Sequence, residues 1–469
     1  MVFSSIIFLF TFLPVTLVLY FITPFRRVRN IVLLLASLVF YAWGDPVYIF
    51  LIIFSIIFNY FMGRDIDFNK EDPKAKKRSL IFAVIVNLFV LGFFKYYGFV
   101  IESLNAVLPF DIPYKSLGLP IGISFYTFQT VAYIIDVYRG TVSVQKDIIN
   151  FGLFVSMFPR VTQGPIVRYA DVEPQLTERR ESLNLFGNGM MYFVRGLAKK
   201  VLLANNIGIL YTTVSGMDIG EFSAVTAWLG AIAYTFQIYF DFSGYSDMAI
   251  GLGRMFGFNF MKNFDYPYIS KSVTEFWRRW HISLGTWFRE YVYIPLGGNR
   301  VSVPKHIRNI LVVWFLTGLW HGASWNFVVW GMYYGLILLF EKYVLVKVSD
   351  RLPAAVCHIY TMLLVIIGWV FFFSPDLSYA IKYIGVMFGI GASGFCDQAA
   401  IYYLLTNLLM FIILTAGSMP VVHELFKIMV FRPKRKRIRI AVVIYILMVL
   451  MSVAYLVTST YSPFLYFQF

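Results

Sequence analysis

The sequence predicts an all-α polytopic membrane protein. Hydrophobic residues make up 59% of the chain against 14% charged, mean hydropathy is +0.70, and apolar runs of near-bilayer length alternate with short polar or basic loops throughout. A soluble fold could not hide that much apolar surface from water.

The first run, Val2 to Ile22, has no basic residue before it and no small-residue cleavage site after it, and is followed by Arg26, Arg27 and Arg29. That pattern describes an uncleaved helix with its N-terminus outside. Further apolar runs lie at about 30–43, 46–62, 79–101, 119–137, 146–158, 186–212, 222–251, 308–320, 324–347, 354–373, 376–391, 399–419 and 440–460. Several are shorter than the ~20 residues of a full span. Roughly eleven or twelve crossings are therefore expected, the remaining segments being re-entrant or interfacial, because broken backbone survives at membrane depth only where protein or a cavity surrounds it. The expected re-entrant pieces are Leu119 to Tyr126 and Phe158 to Arg168.

Basic loops give the orientation. Arg26 to Arg29, Lys70 to Arg78 and Arg432 to Arg439 belong inside, and Gly44 to Pro46 and Glu102 to Lys115 outside. Asn259 to Arg308, rich in Arg and Lys, reads as amphipathic helices on the cytoplasmic side. The whole chain, 1–469, reads as a single integral domain whose last residues, 461–469, form a short extracytoplasmic tail. The net charge of +15 fits cytoplasmic loops and anionic lipid headgroups and argues against nucleic acid as a partner. Cys357 and Cys396 offer neither a disulfide framework nor metal-ligand spacing, so no metal is expected.

Two of the five histidines follow a tryptophan and stand near glycine: His281 in Phe276-Trp-Arg-Arg-Trp-His-Ile-Ser-Leu-Gly285, and His321 in Trp314-Phe-Leu-Thr-Gly-Leu-Trp-His-Gly322. An imidazole in so apolar a stretch is costly unless it serves a site. His321 is a candidate general base, with an interhelical hydrogen bond as the structural alternative. Gly318 and Gly322 suggest close approach of a backbone or ligand. His281 is a candidate for orienting a substrate or stabilising an oxyanion, or for an interfacial hydrogen bond. Trp320 is grouped with the same tunnel or donor site. Asp241, Ser243 and Asp247 put carboxylates and a hydroxyl into an apolar run, as tunnel wall or proton path, or as caps of a helix break. Arg160 and Arg168 flank Thr162-Gln-Gly-Pro165 and are candidates for a donor's phosphates, or for snorkelling to headgroups.

Taken together, these strings resemble the membrane-bound O-acyltransferase family, in the branch similar to alginate O-acetyltransferase membrane subunits. The resembling blocks are Tyr41-Ala-Trp-Gly-Asp-Pro46, Leu119-Pro-Ile-Gly-Ile-Ser-Phe-Tyr-Thr-Phe-Gln129, Asp136-Val-Tyr-Arg-Gly140, Gly164-Pro-Ile-Val-Arg168, Tyr239-Phe-Asp-Phe-Ser-Gly-Tyr-Ser-Asp247, Phe276 to His281, Tyr293-Ile-Pro-Leu-Gly-Gly298 and Leu319-Trp-His-Gly322. The resemblance implies a ring of tilted helices around a central tunnel, with His321 as its deepest polar group and His281 as the second active-site position. It implies an acyl donor, acetyl-CoA, approaching from the cytoplasm, no tightly bound cofactor, and a multi-pass protein of the bacterial cell membrane with both termini outside. The acyl group would leave outward, to a cell-surface or secreted polysaccharide, through an extracytoplasmic acetyltransferase partner protein. Tyr466, in the similar ending Pro463-Phe-Leu-Tyr-Phe-Gln-Phe469, would relay the acyl group. Alternatives from the sequence are D-alanyl transfer to teichoic acid and a proton-coupled transporter using Asp241, Asp247 and His321.

The orientation is testable by labelling. In a chain whose native cysteines are replaced by serine, Ala75→Cys and Lys436→Cys should resist an impermeant thiol reagent in intact cells; rapid labelling of either inverts that part of the topology.

Overall fold

The computed structural model describes residues 1–115, 117–345, 352–422, 424–425 and 435–458. The expected tail at 461–469, with Tyr466, lies outside these residues, as do Arg432 and Lys434. The described residues are helical, with one isolated bridge, Ser223 to Gly394, as their extended pairing. Seven helices are long and apolar enough to cross a membrane by length and composition: Arg26–Gly44, Ile49–Phe68, Pro73–Asn105, Trp325–Leu345, Ala354–Phe373, Gln398–Gly417 and Arg439–Thr458. A shorter apolar helix covers Phe8–Ile22. The chain forms two compact units, Met1–Phe193 with Tyr245–Met261, and Val194–Gly244 with Lys262–Phe469.

The first unit contains α1 (Leu13–Ile22), α2 (Arg26–Gly44), α3 (Ile49–Phe68), α4 (Pro73–Asn105), α5 (Ile123–Arg139), α6 (Ile148–Ser156), α7 (Tyr169–Glu178) and most of α8 (Leu183–Ala198). Asp72 caps α4 by accepting from the amides of Lys74 and Ala75, and Asp147 caps α6 through Ile149. Asn59 of α3 and Asn87 of α4 exchange side-chain hydrogen bonds of 3.0 and 2.7 Å, a reciprocal amide pair that joins two apolar helices. The segment expected as re-entrant at 119–126 is non-helical only up to Gly122 and then continues into α5. Gly122 has φ +72°, and a Cβ there would stand 2.2 Å from the Val161 carbonyl oxygen. The irregular chains at 119–122 and 157–168 thus meet backbone to backbone, and the second is buried along nearly all its length.

The second unit begins with a π-helical turn, Lys199–Ala204, leading into α9 (Asn205–Ser215). Next come α10 (Ala224–Met255), whose part from Tyr245 on belongs to the first unit, the short helices α11 (Val273–Arg279) and α12 (Ile282–Phe288), α13 (Val303–His321) and α14 (Trp325–Phe340). The remaining helices are α15 (Ala354–Phe373), α16 (Leu377–Met387), α17 (Gln398–Gly417) and α18 (Arg435–Thr458). Its core is aromatic, built around Trp280, Trp330, Tyr334 and Trp369. The helix break considered at 239–253 does not occur: α10 runs unbroken through Asp241 and Ser243. Asp241 is instead neutralised by Lys200 of the π turn at 2.5 Å, both side chains 3% exposed. Pairing removes the need for the backbone to open.

Helices α13 and α14 approach through glycine. A Cβ on Gly331 would lie 2.3 Å from the Trp314 carbonyl oxygen, and one on Gly318 would lie 2.3 Å from that of Phe327. The structure therefore resolves the sequence alternatives at Gly318 in favour of a neighbouring backbone. Gly331→Ala should destabilise the protein by about 1–3 kcal/mol, because the obstacle is main chain. Gly92→Ala on α4, where nothing lies within 4 Å, should be neutral or better. Melting of the two variants in detergent checks this; equal melting would show that the α13–α14 crossing can relax.

Candidate active site

A cavity of about 180 Å³ in the second unit is lined by α11, α12, the π turn Arg289–Tyr293 and α13. It brings His281 and His321 to one wall space, together with Trp277, Trp280, Phe288, Arg289, Tyr293, Trp314 and Thr317 among others. The histidines are buried, whereas the Arg289 side chain is 70% exposed. The cavity thus passes from a cationic rim, along indole and phenyl walls, to two imidazoles.

His321 is the last residue of α13, and the chain then turns extended at Gly322. A Cβ on Gly322 would be 2.1 Å from the Phe327 ring, so only glycine lets the chain leave the helix there. The imidazole is fixed by rings: Trp330 at 4.8 Å, Trp320 at 4.9 Å and Phe372 at 5.1 Å, all close to edge-on. Trp314 and Thr317 stand seven and four residues before His321, so they share its helical face and continue the cavity wall.

His281 is positioned by backbone strain. It precedes α12 with φ 47° and ψ 53°, the left-handed region, where besides glycine only Tyr266 is also found among the described residues. Asn263 holds that turn. Its carbonyl accepts from the Ile282 amide at 3.0 Å, and its side-chain oxygen accepts from the Ser283 amide and hydroxyl at 3.1 and 3.0 Å. The imidazole packs edge-on to Phe242 at 4.8 Å and Trp320 at 5.7 Å, so Trp320 touches both histidines. His281 lies outside the seven candidate spans, and burial pulls its pKa down from the ordinary imidazole value to about 3. It is neutral at physiological pH and suits hydrogen bonding rather than proton donation.

Helix α11, which carries Trp277, is anchored from the far end of α14. The Glu341 carboxylate accepts from the amides of Val273 and Thr274 at 2.6 and 2.8 Å and from the Thr274 hydroxyl at 2.6 Å, a buried cap on the positive end of the helix.

The other sequence candidates are not among the residues lining this cavity. Asp241 is tied to Lys200, Ser243 is buried on α10, and Asp247 is half-buried on the same helix. Arg168 pairs with Asp171 at 3.1 Å at the surface. Arg160 is completely buried, which does not suit snorkelling to headgroups. Among the described residues no cluster of His, Cys, Asp and Glu could hold a metal ion. Residues not singled out from sequence are Trp277, Trp314, Thr317, Arg289, Tyr293 and the clamp Asn263; the spacing of Trp314 and Thr317 to His321 was the available signal.

Comparison with known proteins assigns this geometry. The profile of the membrane-bound O-acyltransferase family matches residues 139–386, a stretch that contains the whole cavity. The chain belongs to the membrane-bound O-acyltransferase family. It is therefore a multi-pass membrane enzyme that transfers acyl groups to oxygen. It is 45% identical to the probable alginate O-acetylase AlgI of Pseudomonas aeruginosa over 397 residues, 83% of this chain and 75% of that protein. It is 35% identical to the peptidoglycan O-acetyltransferase of Helicobacter pylori over 436 residues, 84% and 81% of the two chains. A teichoic acid D-alanyltransferase of Streptococcus thermophilus shares 32% identity over 238 residues, 47% of this chain and 56% of its own.

Two measurements test the site. Asn263→Ala should lower turnover by 10-fold or more at near-normal abundance, while Asn263→Asp, which keeps the acceptor oxygen, should lose less; equal losses would remove the clamp from the argument. The second measurement is pH dependence. The folded pKa of His281 is below the unfolded value near 6.5, so the unfolded chain binds a proton that the native state refuses, and stability is lost as pH falls below about 6.5. The loss from this group approaches about 1.4 kcal/mol per pH unit. His281→Asn should flatten the decline in melting temperature between pH 6.5 and 5; an unchanged slope would mean that other groups set it.

Proposed function

We propose that this acyltransferase takes an acetyl group from a cytoplasmic thioester, acetyl-CoA, and delivers it across the membrane for O-acetylation of a cell-surface or secreted polysaccharide. The observation that carries the reading is the shared cavity of His281 and His321. Its apolar indole and phenyl walls around two imidazoles suit an acetyl thioester end with an attacking oxygen. The exposed Arg289 at the rim suits a phosphate-bearing carrier that stays outside while its thioester enters.

In this mechanism His321 takes the proton from the acceptor hydroxyl as its oxygen attacks the thioester carbonyl carbon. The C–O bond forms, the tetrahedral intermediate collapses, and the C–S bond breaks. The imidazolium then returns its proton to the departing thiolate, so the free thiol leaves and no net proton is consumed. Base catalysis of this kind contributes roughly 10²- to 10⁴-fold. Neutral His281 orients the thioester, and the indole walls limit wasteful hydrolysis by keeping water out.

The relatives favour O-acetyl transfer, since two of them act on alginate and peptidoglycan by name and align with most of this chain. D-alanyl transfer is the second reading, motivated by the teichoic acid relatives. A D-alanyl thioester carries an ammonium group, and no carboxylate lines the cavity among the described residues. That favours an uncharged acyl group. Transfer onward fits a relay through Tyr466 to an extracytoplasmic acetyltransferase partner, because a phenyl ester, with a leaving group of pKa near 10, is more reactive than a sugar ester.

The experiment is thiol release by the purified full chain. Acetyl-CoA should yield free CoA only when acceptor or partner is present, and His321→Ala should abolish release and polysaccharide acetylation at near-normal membrane abundance. Turnover by that variant would remove His321 from the mechanism. Tyr466→Phe keeps the ring and removes the hydroxyl; wild-type acetylation with that change would rule out the relay while leaving the cavity chemistry intact.

A further inference from the structure

Arg160 is the one charged side chain among the largest fully buried groups of the first unit, at 0% exposure. Its Nη2 donates to the Phe154 carbonyl, and its Nε and Nη1 have no acceptor. The guanidinium lies against the Phe154 ring at 4.8 Å and the Phe260 ring at 6.0 Å. Among the described residues, no carboxylate forms an ion pair with it.

The turn that carries it is built tightly. The Gly164 amide donates to the Arg160 carbonyl at 3.2 Å, and a Cβ at Gly164 would stand 2.3 Å from the Arg160 Cα. The same turn carries Gln163, 2% exposed, whose Nε2 is a second buried donor with no acceptor. Thr162 between them is bonded to the Tyr245 hydroxyl, which fixes the turn from the side.

The energetics select the ligand class. A guanidinium stays charged at any physiological pH, so it cannot escape burial by losing its proton. An uncompensated buried charge is penalised by several kcal/mol, and aromatic faces return only a fraction of that. Water would satisfy N–H groups without compensating the charge. A donor-only set on a permanent cation, with aromatic rings beside it, selects an anion, and the complete burial of the side chain favours a small one.

We propose that Arg160 and Gln163 form a small-anion site in the turn between α6 and α7, taking a halide or a short carboxylate such as acetate. This site belongs to the first unit and is independent of the acyl-transfer reading of the second. The bound anion stabilises the irregular 157–168 segment.

The test uses the purified full chain in detergent at constant ionic strength, with gluconate exchanged stepwise for chloride, for acetate or for sulfate. Wild-type melting temperature should rise saturably with chloride or acetate and little with the bulkier sulfate, and the more potent of the two identifies the natural source. At 100 times its dissociation constant the anion should raise the folded-to-unfolded ratio about 100-fold. Arg160→Met should abolish the response and melt in gluconate at or above wild type. Arg160→Lys, which keeps the charge and loses the fork, should need higher anion concentrations. Wild-type melting indifferent to the anion overturns the proposal whether or not Arg160→Met folds. An identical response in Arg160→Met, or in Arg160→Lys should Arg160→Met not accumulate, would show a general salt effect and overturn it equally.

Discussion

The Asn263 clamp is where the catalytic arrangement depends most on a single side chain. His281 occupies a left-handed conformation that an L-residue adopts at a penalty of order 1–3 kcal/mol, and Asn263 holds it there by accepting three hydrogen bonds, one through its main-chain carbonyl and two through its side-chain oxygen. The strain has a geometric use. The left-handed residue ends the run of α11 and starts α12 in a new direction, and Trp277 of α11, Trp280 just after it, and Leu284 and Phe288 of α12 all line one cavity. The Glu341 cap fixes the other end of α11 and ties this wall to α14, the helix that also packs against His321 through Trp330.

The backbone approach at Gly318 and Gly331 sets the second wall. Without side chains at the crossing, α13 and α14 come close enough for Trp330 to reach the His321 ring, and the Trp314 indole meets Trp277 at 4.8 Å on the cavity side. Aromatic groups then replace water around both imidazoles. Part of the chain's 19% aromatic content thus lines this cavity.

Hydropathy made most helices legible, since a long apolar run in a bilayer has few alternatives: the runs at 354–373 and 399–419 became helices Ala354–Phe373 and Gln398–Gly417. The two histidines were legible for the same reason, an ionisable group where apolar residues are the rule. What the sequence hid was pairing. Asp241 in an apolar run reads as a helix break because its partner, Lys200, stands forty-one residues away on a π turn; once paired, the helix has no reason to open. Asn263 was hidden likewise, because it acts through three bonds to residues some twenty positions on, and nothing in its own neighbourhood distinguishes it from a loop polar residue.

The charge inventory of the cavity bears on how the proton moves. Arg289 is the one formally charged residue among those lining it, and it sits at the exposed rim; no carboxylate is present there to stabilise an imidazolium on His321. In the Ser-His-Asp arrangement an aspartate holds the protonated histidine between steps. In the proposed mechanism, a cavity without that counter-charge disfavours a long-lived imidazolium, so proton uptake from the acceptor and proton return to the thiolate would be nearly simultaneous. The acceptor oxygen and the sulfur must then both lie within hydrogen-bond reach of one imidazole, which requires a compact cavity in which acyl group and acceptor meet at the same edge.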